Sequence, residues 1–138
     1  MKPIVIKGGI HSDNRGNLTY NNDFDISSIK RMYFIQNIST SFVRAWQGHA
    51  IERRWFSVVK GSFEIKLIQI DNWRTPTKNL DVFSSILNDQ NLDVLCVPGG
   101  YVNSIQALEE NSKLLVMSDY QLGDIEDEYR FDSNYFTL

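Results

Sequence analysis

Apolar and polar positions alternate along short stretches of this chain, and nowhere do they hold a helical period beyond two turns. In residues 63–70 (FEIKLIQI), Phe63, Ile65 and Leu67 alternate with Glu64 and Lys66. That period of two predicts a strand with one buried and one wetter face. Residues 29–37, 55–60, 82–87, 92–97 and 114–120 are rich in β-branched and aromatic side chains and predict further strands. Gly61-Ser62, between WFSVVK and FEIKLIQI, predicts a hairpin in which glycine absorbs the turn geometry. Asn, Asp, Gly and Pro cluster at 13–17, 71–79, 98–101 and 109–112, and NDQN separates two of the strand runs. Many short strands punctuated by turns predict an all-β sandwich or barrel. The 138 residues suit a single domain spanning 1–138. The acidic run 123–132 (GDIEDEYRFD) reads as a solvated connection or a short C-terminal helix.

Composition narrows the partners. The net charge of −3 and pI near 5.3 argue against nucleic acid as ligand, because such binders carry a basic excess. A single cysteine, Cys96, rules out a disulfide within the chain and fits a reducing compartment, with the thiol as a small buried hydrophobe. The apolar run in MKPIVIKGG is too short for a signal-peptide core, and no segment is long enough to span a bilayer. A cytoplasmic protein is expected.

The densest polar cluster lies at 43–61, VRAWQGHAIERRWFSVVKG. Here His49 sits among Arg44, Arg53, Arg54, Gln47, Trp46 and Trp55. A histidine titrates near neutral pH and can serve as a general base. Equally, one that follows Gly48 can be a plain turn residue. A metal site is disfavoured, since first-row metals want several protein ligands and only His11 accompanies His49. Arginines within an acidic chain point to a small anionic ligand. Arg15, in the turn SDNRGN, and Arg44 could each grip a phosphate with a planar guanidinium, or pair with surface acids. Arg54 adjoins an apolar strand, so an inward orientation demands a partner or a ligand cavity. Tyr120, ending LLVMSDY, is a proton donor or a packing residue. Asn103 and Gln106 could offer neutral hydrogen bonds to a sugar, and Trp46, Trp55 and Trp73 read first as core.

The order of these motifs resembles the RmlC-like cupins that act on dTDP sugars, including dTDP-4-dehydrorhamnose 3,5-epimerases and sugar 3,4-ketoisomerases. The resemblance rests on Asp13-Asn14-Arg15-Gly16, Arg44 with His49, the strand and glycine turn WFSVVKGSF, Pro98-Gly99-Gly100-Tyr101 and Tyr120, and covers nearly the whole chain. It implies a double-stranded β-helix (cupin jelly roll), no cofactor or metal, and a nucleotide-diphosphate sugar as substrate. The implied setting is cell-surface polysaccharide synthesis, in a homodimer free of membrane and nucleic acid. It also implies roles: Arg15 and Arg44 on the diphosphate, with Gln47 and Asn103 lining the substrate site, and His49 as the base beside the C4 ketone. Arg54 stands where the epimerases place an enolate-steadying lysine, and Tyr120 where they place the acid. The chain departs from the pattern at Gln47, where ketoisomerases carry a second histidine, and at Asn103, where epimerases carry one. The aspartate that orients the epimerase base is expected to be missing, because the chain stops at Leu138, and any carboxylate that orients His49 is expected to come from elsewhere. A binding protein that kept the pocket and lost catalysis is the rival expectation.

Overall fold

The computed structural model describes residues 1–138, and every regular element in it is a strand. They are β1 (Ile4–Ile6), β2 (Gly9–Asp13), β3 (Gly16–Tyr20), β4 (Arg31–Ile35), β5 (Val43–His49) and β6 (Arg54–Lys60). The second half holds β7 (Ser62–Gln69), β8 (Val82–Asn88), β9 (Val94–Val97), β10 (Tyr101–Ala107), β11 (Lys113–Ser118) and β12 (Glu128–Arg130). One five-stranded sheet runs β1-β9-β6-β11-β4 and a second runs β12-β5-β10-β7-β8, while β2 and β3 form a separate hairpin. From β4 onward, successive strands change sheet at nearly every turn. This is the winding of the jelly roll that the motif order implies.

The core fills the space between the sheets. Phe56 and Val58 of β6, Phe63, Ile65 and Leu67 of β7, Ile105 of β10, and Leu114 and Val116 of β11 meet there, each nearly inaccessible. Burying a side chain of this size stabilises by about 1.5–3 kcal/mol before entropy is counted. The alternation read in FEIKLIQI therefore marks the inner face correctly. Two smaller clusters cover the outer faces. Trp55, Val94 and Met117 pack under Phe24 and Ile29 on the first sheet. Trp46, Ile68 and Val102 pack under Phe136 on the second, and Phe131 and Tyr135 extend that aromatic cover. Trp46 and Trp55 are thus core residues, while Trp73 lies against Tyr129.

Two expectations fail. Residues 55–60 and 63–70 are strands, but they do not pair: β6 bonds to β9 and β11, and β7 to β10 and β8. Gly61 carries the chain from one sheet to the other at φ +80°, where a Cβ would lie 2.0 Å from Ser112 Oγ. A glycine turn between apolar runs is compatible with either geometry, so hydrophobic period alone could not choose. The acidic run 123–132 is neither a helix nor wholly solvated, since it supplies β12 against β5 and buries Asp127.

Strand β5 carries the feature that shapes the site. Opposite β10, Gln47 faces Asn103 and Ala45 faces Ser104, leaving Trp46 as an extra, unmatched residue. Such a bulge shifts the alternation by one. His49 and Gln47 face inward, Trp46 faces out to Phe136, and Arg44 returns to the inner face.

Candidate active site

A small cavity between the sheets is lined by Tyr33 and Ile35 of β4, Arg44, Gln47 and His49 of β5, Arg54 and Phe56 of β6, and Asn103 and Ile105 of β10. Its volume is about 20 Å³, room for roughly one water molecule. A larger apolar depression of about 390 Å³ lies on the outer face of the first sheet beside Trp55 and Cys96, away from the histidine. Cys96 is partly rather than fully buried, and that burial raises its thiol above the ordinary value.

His49 ends β5 and Arg54 begins β6, so the short connection between them folds both side chains into one place. Asp127, just before β12, closes the arrangement. Its Oδ1 lies 2.9 Å from His49 Nδ1, and its Oδ2 accepts the backbone N–H groups of Ile51 (2.8 Å) and Glu52 (2.7 Å). Burial by itself would raise the Asp127 carboxyl, but the N–H of Glu52, the His49 ring and the N–H of Ile51 outweigh it and hold the group below 3.8. A carboxylate can only accept, so Nδ1 carries the proton. Nε2 then presents its lone pair inward, and Arg54 Nη2 donates to it at 2.6 Å.

Arg54 is only 8% exposed and is held on three sides. Its Nε donates to Glu52 Oε2 at 2.6 Å, its Nη2 forms an ion pair with the same oxygen at 2.5 Å, and its Nη1 donates to the hydroxyl of Tyr33. Glu52 Oε2 also lies 3.4 Å from His49 Nε2. A lone-pair nitrogen, a guanidinium and a phenol thus converge on one small space. That set can remove a proton beside a carbonyl and steady the oxyanion that results.

The other residues singled out in the sequence divide. Arg44 lines the cavity, donates to Asn37 Oδ1 at 3.3 Å and has no carboxylate partner. Gln47 and Asn103 line it side by side, and Gln47 donates to Glu128. Arg15 lies in the β2–β3 turn, 83% exposed and paired with Asp13 at 2.7 Å, outside the cavity. Tyr120 follows β11 with its backbone tied to Ser118 Oγ, and it is not among the cavity residues. Arg53 points to the outer face, where it pairs with Asp119 and lies over Trp55.

Three residues were not anticipated. Asp127 supplies the carboxylate that was expected to come from elsewhere in the chain. It was hidden in a charge run that reads as solvent-facing. Tyr33 was hidden in an aromatic strand, where tyrosine reads as packing. Glu52 looked like one more charge in a polar turn. No three His, Cys, Asp or Glu side chains are arranged to hold a metal ion, and no helix is long and apolar enough to cross a membrane.

Compared by sequence, the chain matches no protein-family model and no curated protein. Compared by structure, it is similar to nucleotide-sugar enzymes. The 3,4-ketoisomerase QdtA of Thermoanaerobacterium thermosaccharolyticum, in complex with TDP-4-keto-6-deoxyglucose, superposes with a TM-score of 0.73 at 20% identity, over 94% of this chain and 88% of that one. A 3,4-ketoisomerase from Helicobacter canadensis gives 0.68 at 23% identity, over 90% and 87%. The RmlC epimerase of Mycobacterium tuberculosis gives 0.75 at 16% identity, over 95% and 69%. At these identities the likeness establishes the fold, and the cupin jelly roll expected from the motif order is the one observed.

Proposed function

We propose that the protein is a sugar-nucleotide epimerase or isomerase acting on a dTDP-4-keto-6-deoxyhexose. The observation that carries the reading is the His49–Asp127 pair, whose lone-pair nitrogen faces an interior cavity beside a guanidinium and a phenol. His49 Nε2 removes the proton from the carbon next to the C4 ketone. Arg54 stabilises the developing enolate oxygen. Return of a proton to the same carbon from the opposite face inverts it, and return at C4 with transfer of the hydroxyl proton moves the ketone. The acid role goes to the phenol of Tyr33 rather than that of Tyr120, because Tyr33 lines the cavity. Arg44, free of any carboxylate, is the group for the diphosphate, with Gln47 and Asn103 hydrogen-bonding the sugar. In the closed arrangement Arg54 covers Nε2, so substrate entry displaces that contact and widens the space between the sheets.

The protein is further proposed to work in the cytoplasm, in cell-surface polysaccharide synthesis, as a homodimer. Met32 and Phe34, 71% and 59% exposed on the edge strand β4, support pairing with a second copy. Arg15, on the exposed β2–β3 hairpin and outside the cavity, is assigned to the diphosphate bound by the second copy.

A second reading has its own support: the amides at Gln47 and Asn103, where the resembled enzymes carry histidines, fit a binder that has lost catalysis. One experiment separates the two. The protein is incubated with dTDP-4-keto-6-deoxyglucose in deuterated water, and C3, C4 and C5 are followed by NMR. Deuterium at C4 of a 3-keto product fits ketoisomerisation, deuterium at C3 alone single epimerisation, and deuterium at C3 and C5 double epimerisation. No exchange, with tight dTDP binding, overturns the enzyme reading in favour of the binder. A His49→Asn variant that exchanges at the full rate overturns the role of His49.

A further inference from the structure

Glu52 is a buried carboxylate that the proposed chemistry leaves unused. It is 6% exposed and does not line the cavity, so it acts on a substrate only through its neighbours. One oxygen, Oε2, accepts from Arg54 Nε, is ion-paired with Arg54 Nη2 and stands 3.4 Å from His49 Nε2. Its backbone N–H is held by Asp127, the same carboxylate that holds the histidine ring. The contacts close a ring: Asp127 to His49, His49 to Arg54, Arg54 to Glu52, and Glu52 back to Asp127.

We propose that Glu52 is a positioning residue for the proton transfer at His49, an inference that rests on the function proposed above. Two arguments carry it. The first is geometric. A guanidinium is a planar fork, and fixing two of its nitrogens on one carboxylate oxygen dictates where the remaining N–H groups point. With Nε and Nη2 on Glu52, Nη1 meets Tyr33, and the guanidinium stays beside His49 when a substrate takes over the Nη2–Nε2 contact. The second is a count of charge. Two carboxylates and one guanidinium surround the imidazole, so the cluster carries one net negative charge while the ring is neutral and none once it has taken a proton. Without Glu52, the protonated ring and Arg54 would face each other with Asp127 alone to balance them. Buried ion pairs add little net stability compared with apolar packing, so the pair is better accounted for by what it holds in place.

The test compares wild type, Glu52→Gln and Glu52→Asp in the deuterium-exchange and turnover assays, with dTDP affinity measured by calorimetry. Glu52→Gln is expected to lower kcat by about 10- to 100-fold, the scale for an outer partner of a catalytic group, with KM and dTDP affinity unchanged. Glu52→Asp, which keeps the charge, recovers part of the loss and covers the case in which Glu52→Gln fails to fold. Full kcat in Glu52→Gln, or a loss confined to KM, overturns the proposal. If the wild type exchanges no deuterium, the functional reading falls separately, and nitrogen-15 NMR of the side chains decides the positioning. Loss of the protected Arg54 Nε–H signal and a moved His49 Nε2 signal in Glu52→Gln support it, and unchanged signals overturn it.

Discussion

Asp127 Oδ1 and His49 Nδ1 stand 2.9 Å apart, joined by a hydrogen bond between residues 78 positions apart in the chain. The carboxylate fixes the ring tautomer and also gathers the two N–H groups of the β5–β6 connection. Asp127→Asn keeps the shape but presents an amide that satisfies these donors only in part. Exchange at the sugar carbon is expected to fall by about 10²-fold or more, with dTDP binding retained. A full exchange rate in Asp127→Asn would mean that the ring needs no carboxylate.

The same carboxyl predicts a pH dependence of stability. Its folded value lies below the unfolded value of 3.8, so the stabilisation it gives is complete above 3.8 and is lost as the pH falls through the lower, folded value. Thermal melts at descending pH should show the wild type losing its advantage over Asp127→Asn in that acid window. Parallel acid profiles for the two proteins would contradict this.

Tyr33→Phe and Tyr120→Phe distinguish the two candidate acids. Tyr33→Phe removes the hydroxyl bonded to Arg54 and should cost about 10²-fold in turnover. Tyr120→Phe, outside the cavity, should remain within about twofold of wild type, the scale of a surface change worth less than about 0.5 kcal/mol. Steady-state turnover of the two variants decides, and the reverse order would return the acid role to Tyr120.

The arginines divide in the same way. Arg44→Ala should weaken dTDP binding by about tenfold or more, the value of one charge-assisted contact. Arg15→Ala should weaken binding only if the protein is a dimer. Calorimetry paired with sedimentation tests both statements: an Arg15 effect in a protein that sediments as a monomer would be inconsistent with the geometry described.

Phe136→Ala opens the aromatic cover over Trp46. A buried phenylalanine truncation costs about 3–5 kcal/mol, and urea unfolding should show a loss of that order. A loss below about 1 kcal/mol would mean that the C-terminal segment is not docked as described.

The parts of this molecule visible in the sequence follow from local period. Phe63, Ile65 and Leu67 announce an inner face because a strand repeats every two residues. What that period cannot announce is the strand's partner, so Gly61 read as a hairpin turn although it is a crossing between sheets. The inward position of Arg44 depends on a bulge at Trp46, and nothing in VRAWQGH marks one residue as unmatched. His49, Arg44, Arg54, Gln47 and Asn103 were legible because polar groups beside apolar strands need a reason to be there. Asp127, Tyr33 and Glu52 were not, because each resembles its neighbours in composition and is distinguished only by what it meets across the fold.

The alternation of strands between the two sheets also sets an order of events in time. Few pairings join neighbours in the chain, so little structure can form before distant segments meet, and folding should be slow for a protein of this length. His49 ends β5 and Asp127 precedes β12, the last strand of the chain, so the pair between them forms only when the C-terminal segment docks. During refolding, recovery of tryptophan fluorescence should therefore precede recovery of proton exchange, and a chain interrupted before residue 127 should pack much of its core yet remain inert.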